Sequence, residues 1–197
     1  MRIDFWFDPT CPFTWITSRW MCRTAPERST EVRWRSLSLA IVHEDEPPSD
    51  ARQRSLGQLR VVEAVRKAGL EDRIGDLYTE LGRRTHDEQD RSFPVTDALA
   101  ACDLPLALAG AVEDDSYDGL IRDSMAEASA LVGDDTGVPV IAWGPDGDRV
   151  GFFGPILTEL PGVGAGVSIF DSVVELASVP AFTELKRAKS RPVLPAT

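Results

Sequence analysis

The feature that constrains this chain most is a short apolar strand followed at once by a helix. Residues 3–7 are rich in aromatic side chains and end at Asp8, which predicts a buried β-strand. A helix is predicted over residues 12–25, because Pro12 is tolerated in a first turn and apolar residues recur at spacings of three and four. Cys11 therefore stands where the strand ends and the helix begins.

The middle of the chain changes from a strand pattern to a helical one. Residues 31–39 alternate between apolar and polar side chains, which predicts a second strand. Strand, helix and strand in this order form a βαβ unit with parallel strands and a right-handed crossover. Residues 51–133 carry apolar spacings of three and four and no strand pattern, so we expect a helical insertion there.

A second group of strands is predicted after the insertion. Residues 138–143 and 149–153 are β-rich and flank the Gly/Asp turn at 144–148, which indicates a β-hairpin. A last helix is predicted over 168–186, with Pro180 expected to break it. The fold class is therefore α/β, divided into a split domain of residues 1–48 and 134–197 and an inserted helical subdomain of residues 49–133.

Composition excludes several classes of protein. No run approaches the roughly 18 apolar residues of a membrane span. With 21 basic and 32 acidic residues the formal net charge is −11, which disfavours nucleic acid and anionic membranes and favours a small-molecule or protein partner. The amino terminus has no signal-peptide pattern and the three cysteines form no disulfide framework, so we expect a cytoplasmic protein, monomeric or homodimeric.

Metal and nucleotide sites are not predicted. Two histidines and three dispersed cysteines show no zinc-ligand spacing. The glycine-rich residues 162–166 follow no strand and lack the GxGxxG spacing, and no Walker motif is present, so a flexible loop is expected there.

Cys11 is the candidate nucleophile. Helix amino termini carry unpaired N–H groups and the positive end of the helix dipole, so we expect a lowered thiol pKa at this position. Thr14 lies three residues on, where its amide or hydroxyl would point at the sulfur. The alternative is that Cys11 is a buried small apolar residue. Cys22 and Cys102 are expected to fill the core, and Cys22 lies roughly 16 Å along the helix, too far to pair with Cys11.

A family resemblance rests on several segments. Residues 6–20 (Trp-Phe-Asp-Pro-Thr-Cys-Pro-Phe-Thr-Trp-Ile-Thr-Ser-Arg-Trp), together with matches at 38–40, 117–135, 152–155 and 182–187, resemble the mycothiol-dependent nitroreductase branch of the DsbA-like thioredoxin-fold proteins. The resemblance implies a thioredoxin fold with helices inserted between the βαβ unit and a carboxyl-terminal ββα unit. It also implies a thiol-disulfide oxidoreductase with a low-molecular-weight thiol, mycothiol, as co-substrate, and no metal or nucleotide.

This chain departs from the family motif at one decisive position. The motif is Cys-Pro-x-Cys, and Thr14 replaces the second cysteine. Without that resolving sulfur, a mixed disulfide on Cys11 must be released by another thiol, so the expected enzyme is a monothiol oxidoreductase acting on small or protein disulfides.

The resemblance also implies further site residues. It predicts a cis bond at Val138-Pro139, with the Val138 backbone and Pro139 facing Cys11. Pro12, Phe13 and Trp15 are expected to contact substrate, and His86 is expected to act as an acid or base or to lie on the surface. The bulky aromatic residues near the motif are either pocket walls or core; they are Trp6, Phe13, Trp15 and Trp20.

Two other functions stay open. One is a transferase or isomerase like the kappa-class glutathione transferases, in which a hydroxyl of Thr14 or Thr10 stabilises the thiolate of a bound cofactor. The other is a binding protein that kept the fold and lost catalysis.

Overall fold

The computed structural model describes residues 1–145, 147–186, 188 and 193. Its centre is a four-stranded mixed sheet with the order β2-β1-β3-β4. The first two strands run parallel, and β1 with β3 and β3 with β4 run antiparallel. The strands are β1 (Arg2–Phe7), β2 (Glu31–Ser36), β3 (Val140–Trp143) and β4 (Val150–Phe153).

Seven α-helices surround the sheet within the described residues. Three of them lie outside the segment between α2 and β3: α1 (Pro12–Thr24), the short α2 (Leu39–Val42) and α7 (Val163–Ala177). The segment between α2 and β3 contains α3 (Asp50–Lys67), α4 (Ile74–Gly82), α5 (Val95–Ala101) and α6 (Asp118–Val132). Residues 51–133 contain no strand, which confirms the predicted helical insertion. The division into a domain and a subdomain stays a prediction.

One aromatic cluster joins the sheet to the insertion. Tyr78 of α4 stacks on Phe7 of β1 with ring centroids 4.0 Å apart, and Trp34 of β2 lies 5.3 Å from Tyr78. Burying each such side chain contributes roughly 1.5–3 kcal/mol. The insertion is thus held against the sheet by a shared core.

A close approach of α4 to α1 places the next part of the insertion over the amino terminus of α1. A Cβ on Gly82 would lie 2.2 Å from the Trp15 ring, so only glycine fits there. The chain then forms one π-helical turn, Arg83–Asp87, and turns of this kind recur at functional sites.

The predicted second strand was too long. It ends at Ser36 rather than at residue 39, because Ser38 caps α2 by accepting a hydrogen bond from the Ile41 amide at 3.4 Å. A local capping interaction therefore overrides the alternating pattern.

The predicted last helix begins five residues earlier than expected, its predicted break at Pro180 is confirmed, and the expected flexible loop at 162–166 was wrong. Helix α7 begins at Val163 and ends at Ala177, before Pro180. Gly166 is buried in its first turn and accepts a hydrogen bond from Trp20 Nε1 at 2.9 Å. Because Gly166 lacks a side chain, this turn can pack directly on Trp20 and Thr24 of α1.

The remaining expectations concern the two other cysteines, two residues outside the described ranges, and membrane spans. Cys102 is buried as expected, but Cys22 is exposed, so the prediction that it fills the core was wrong. Asp146 of the hairpin turn and Arg187 of the family match lie outside the described residues. No helix in the described ranges has both the length and the apolar character needed to cross a bilayer.

Candidate active site

Cys11 caps the amino terminus of α1. It has extended backbone angles (φ −80°, ψ 113°), and its carbonyl accepts the first helical hydrogen bond from the Trp15 amide at 3.0 Å. Its own amide donates to the Asp8 carbonyl at 3.2 Å, which closes the turn between β1 and α1. Pro12 occupies the first helical position and is exposed. The residue therefore lies where the unpaired N–H groups of the helix point.

Thr14 faces the Cys11 sulfur as the sequence predicted. Its side chain is 0% exposed, and its hydroxyl has no hydrogen-bond partner among the described residues. The hydroxyl and amide of Thr14 and the amide of Phe13 all lower the pKa of Cys11, because they donate to the ionised sulfur. The unpaired hydroxyl is thus available to a thiolate at this position.

The sequence predicted a lowered Cys11 pKa, and this prediction was wrong, because the pKa is raised. Cys11 is 8% exposed, and burial is the largest influence on its thiol pKa, which lies above the ordinary value despite the hydrogen bonds from Thr14 and Phe13. The negative charge of Asp8 raises it further. A helix terminus stabilises a thiolate, but removal of water destabilises it, and here desolvation has the larger effect.

An apolar cluster surrounds the sulfur. Cys11 belongs to the same cluster as Val138, and Phe13 and Leu39 are partly buried against it. The other buried members are Trp6, Leu37, Ala128, Val140 and Ala142. This arrangement creates an apolar surrounding for any group that reaches the thiol.

The Val138-Pro139 peptide bond is cis, as the resemblance implied. The Pro139 carbonyl accepts a hydrogen bond from the Gly154 amide at 2.8 Å. Within the described part of the chain, neither the N–H nor the C=O of Val138 makes a backbone hydrogen bond. These groups remain available to a ligand with amide character.

His86 lies beside the active turn. On the π-helical turn it is partly buried, its Nε2 is 2.9 Å from the Pro9 carbonyl, and its ring stacks on Trp15 with centroids 5.9 Å apart. Because a carbonyl can only accept, Nε2 carries the proton and Nδ1 has a free lone pair. Burial lowers the pKa of His86 below its ordinary value.

Trp15 lies beneath the site. It is 2% exposed, and its indole N–H donates to Asp87 at 2.9 Å. The Arg19 guanidinium lies 4.2 Å from the centroid of its ring. Trp15 thus positions His86 and Asp87, and direct contact with substrate stays a prediction for this residue. Trp6 and Trp20 are core residues, 0% and 1% exposed.

Asp8 is a site residue that sequence reasoning missed. It is 0% exposed and accepts hydrogen bonds from the amide and hydroxyl of Thr10, both 2.8 Å. The Leu39 amide and the Ser55 hydroxyl also donate to it, at 2.8 and 2.5 Å. The sequence Asp-Pro-Thr contains the signal for the local contact, because Asp commonly bonds the backbone two residues on. No sequence signal indicates the contacts with Leu39 and Ser55.

The chain was compared with known protein families. Residues 10–187 match the model of the Rv2466c-like family, described as mycothiol-dependent nitroreductase Rv2466c. The chain belongs to this family. It is therefore an oxidoreductase, and its membership agrees with the site built around Cys11.

A curated relative and two solved structures show the extent of the likeness. Uncharacterized protein Rv2286c of Mycobacterium tuberculosis is 29% identical over 202 residues, which cover 95% of this chain and 82% of that protein. The cytosolic disulfide reductase DsbM from Pseudomonas aeruginosa is similar with a TM-score of 0.63 and 15% identity, covering 89% of this chain and 100% of DsbM. The same reductase has been solved with GSH, and that structure matches with a TM-score of 0.59, 14% identity and coverage of 89% and 100%.

A 2-hydroxychromene-2-carboxylate isomerase is also similar, with a TM-score of 0.59, 16% identity and coverage of 89% of this chain and 95% of the isomerase. These structural matches show the DsbA-like thioredoxin fold.

Proposed function

We propose that this protein is a monothiol thiol-disulfide oxidoreductase with Cys11 as its nucleophile. The observation that carries the proposal is the placement of Cys11 at the amino terminus of α1, beside an unpartnered buried hydroxyl of Thr14 and in one cluster with Val138. All three cysteines are free thiols, and Thr14 occupies the position of the family's second cysteine. A resolving thiol must therefore come from outside the chain.

The reaction consists of two exchanges. The Cys11 thiolate attacks one sulfur of a disulfide RSSR′, the S–S bond breaks, and R′S⁻ leaves with the electron pair and takes up a proton. A small thiol R″SH then loses its proton and attacks the substrate sulfur of the mixed disulfide, which releases the Cys11 thiolate. The sum is RSSR′ + R″SH → RSSR″ + R′SH, so atoms and electrons balance.

The proposed small thiol is mycothiol. The family description supports this choice, and the GSH-bound DsbM structure supports a small thiol for the fold more generally. Pro12 and Phe13 would contact the ligand beside the sulfur, and the free N–H and C=O of Val138 would bind an amide group of the ligand. A protein disulfide would bind through the same groups. Free thiols throughout the chain support the reducing cytoplasm as the place of this reaction.

His86 is the proposed proton carrier. Its lowered pKa leaves the ring neutral at neutral pH, and its Nδ1 lone pair can accept a proton from an incoming thiol and return it to the leaving one.

A second candidate function is a transferase or isomerase that uses a bound thiol. The burial and raised pKa of Cys11, together with the unpartnered Thr14 hydroxyl, favour a site in which Thr14 donates to the thiolate of a cofactor. In that case the protein sulfur forms no covalent bond.

An adduct experiment separates these functions. The purified protein is treated with an activated disulfide of a small thiol and weighed, with a Cys22→Ser, Cys102→Ser variant as the matched background. The oxidoreductase gives one adduct on Cys11 that added thiol releases, and turnover is lost in Cys11→Ser. Turnover that survives Cys11→Ser but not Thr14→Ala identifies the transferase. An inert Cys11 without turnover identifies a binding protein.

The Thr14→Cys variant tests the placement of the turn. Restoring the family motif should give a reversible internal disulfide between residues 11 and 14, because the Thr14 side chain already faces the Cys11 sulfur. Thiol counting before and after mild oxidation measures this, with Thr14→Ser as control. If the variant keeps both thiols under mild oxidant, the turn is placed wrongly.

A further inference from the structure

Asp8 connects three segments that are distant in sequence. Its carboxylate accepts from Thr10 in the active turn, from the Leu39 amide at the start of α2, and from Ser55 in α3 of the insertion. All four donors are neutral, and Asp8 forms no ion pair within the described residues. Two of the donors are amides, which can only donate, so these groups meet the hydrogen-bonding needs of an ionised carboxylate.

Hydrogen bonds from neutral groups satisfy the oxygens of Asp8 without cancelling its charge. The residue is 0% exposed, so water does not screen that charge either. The titratable groups that face it are Cys11, His86 and Tyr78, and Arg19 acts on Tyr78 from α1. The negative charge raises the pKa of Cys11, although burial of the thiol is the larger cause of its raised value.

We propose that Asp8 is a positioning residue that fixes the Cys11 turn against the helical insertion and sets the reactivity of Cys11 through its uncompensated charge. The proposal rests on the proposed function of Cys11 as nucleophile. Asp8 acts through Thr10, Ser55 and the Cys11 thiol, and it needs no contact with substrate.

The donors to Asp8 are neutral, and this determines how its charge acts on Cys11. A cation beside Asp8 would cancel its field and favour the thiolate, whereas the amides and hydroxyls hold the turn and leave the field intact. Because Ser55 belongs to α3, the position of the insertion and the position of the reactive turn are joined through one carboxylate.

The test measures the rate of Cys11 alkylation as a function of pH in the Cys22→Ser, Cys102→Ser background. Asp8→Asn removes the charge and keeps the size of the side chain, so the Cys11 pKa should fall. Because each oxygen of Asp8 accepts from a backbone amide, the NH2 group of the asparagine must replace one of these acceptors, and that hydrogen bond is lost as well. Alkylation at neutral pH should then be about threefold faster, because the gain in thiolate exceeds the accompanying loss of nucleophilicity. Ser55→Ala is the matched control, since it removes one hydrogen bond and keeps the charge. Its alkylation should not accelerate.

A folded Asp8→Asn protein with an unchanged or raised Cys11 pKa overturns the proposal. So does an equal acceleration in Ser55→Ala, which would mean that loosening of the turn is the cause. Near-ultraviolet circular dichroism establishes that the variants are folded.

A second measurement needs no substitution at Asp8. In the otherwise unaltered chain, the NMR shift of the Asp8 carboxyl carbon should follow the ionisation of Cys11 and should lose that step in Cys11→Ser. Absence of the step in the parent protein overturns the proposal.

Neither readout depends on turnover. Faster alkylation of Asp8→Asn with turnover that survives Cys11→Ser would therefore reject the proposed function and leave the role of Asp8 intact.

Discussion

Two buried aspartates, one within β1 and one directly after it, have different electrostatic surroundings. Asp4 and Asp8 are four residues apart, and both are at most 6% exposed. Asp4 forms ion pairs with Arg33 on β2 and with Arg149 beside β4. Within the described part of the chain, Asp8 accepts hydrogen bonds from amides and hydroxyls and forms no ion pair.

Whether the carboxylate is paired determines which property of the protein its charge influences. Around Asp4, Arg149 also approaches Glu127 of α6, which in turn binds Arg35, so the charges form a network across the sheet. The opposite charges of such a network cancel each other's field at a distance, so we expect the network to affect stability and not the Cys11 pKa. Among the residues that the structure describes, the Asp8 carboxylate has no ion-pair partner, so its field extends to the nearby Cys11 thiol. We therefore expect substitutions at the two aspartates to change different properties.

The largest effect should come from Asp4→Asn. The substitution leaves the partly buried Arg33 without a carboxylate and leaves Arg149 with Glu127 alone, so we expect a loss of about 2–3 kcal/mol in free energy of unfolding. The Cys11 alkylation profile should stay unchanged. Urea unfolding and alkylation measure the two properties, and Asp8→Asn is the comparison. A changed alkylation profile in Asp4→Asn would show that the two aspartates are coupled.

A smaller effect is expected from two threonines on α1, both 0% exposed. The Thr17 hydroxyl donates to the Pro155 carbonyl at 2.8 Å, so Thr17→Val should lose about 1–2 kcal/mol of stability with no change at Cys11. The Thr14 hydroxyl has no such partner, so Thr14→Val should keep or raise stability and raise the Cys11 pKa. Urea unfolding and alkylation rates measure both. Equal behaviour of the two variants would contradict the assignment of Thr14 to the thiol.

The smallest effect concerns pH. Burial lowers the pKa of His86, so between its ordinary pKa of about 6.5 and the lower folded value the unfolded chain binds a proton that the folded chain does not. Stability is therefore lost as the pH falls through this window. His86→Gln should reduce this loss, and His43→Gln, at an exposed position, should keep it. Urea unfolding at about pH 7.5 and about pH 5.5 measures the loss. An equal loss in His86→Gln would mean that another group titrates.

Much of the fold could be predicted from local patterns. The strand at 3–7, the helix that begins at Pro12, the hairpin and the helical insertion all follow from apolar spacing and proline positions, which act over a few residues. The errors lie where tertiary contacts decide: Ser38 capping ends β2, and packing of Gly166 on Trp20 makes a helix of an expected loop.

The site divides in the same way. Cys11, Thr14 and the cis Val138-Pro139 bond were predicted from the motif and the family resemblance, and the structure brings Cys11, Thr14 and Val138 together. The raised pKa of Cys11 could not be predicted, because burial depends on side chains that come from other parts of the chain.

The sequence by itself determined that a cysteine begins the first helix after a buried strand, because strand, turn and helix signals are local. The family resemblance added that this unit is thioredoxin-like and that Thr14 stands in place of the resolving cysteine. Only the tertiary structure decided the electrostatics of that cysteine. Leu39 and Ser55 converge on Asp8 through packing of α2 and α3, and Gly82 brings His86 to the active turn. Desolvation and uncompensated charge depend on all the atoms within a few ångströms of the thiol, and these atoms come from residues far apart in the sequence.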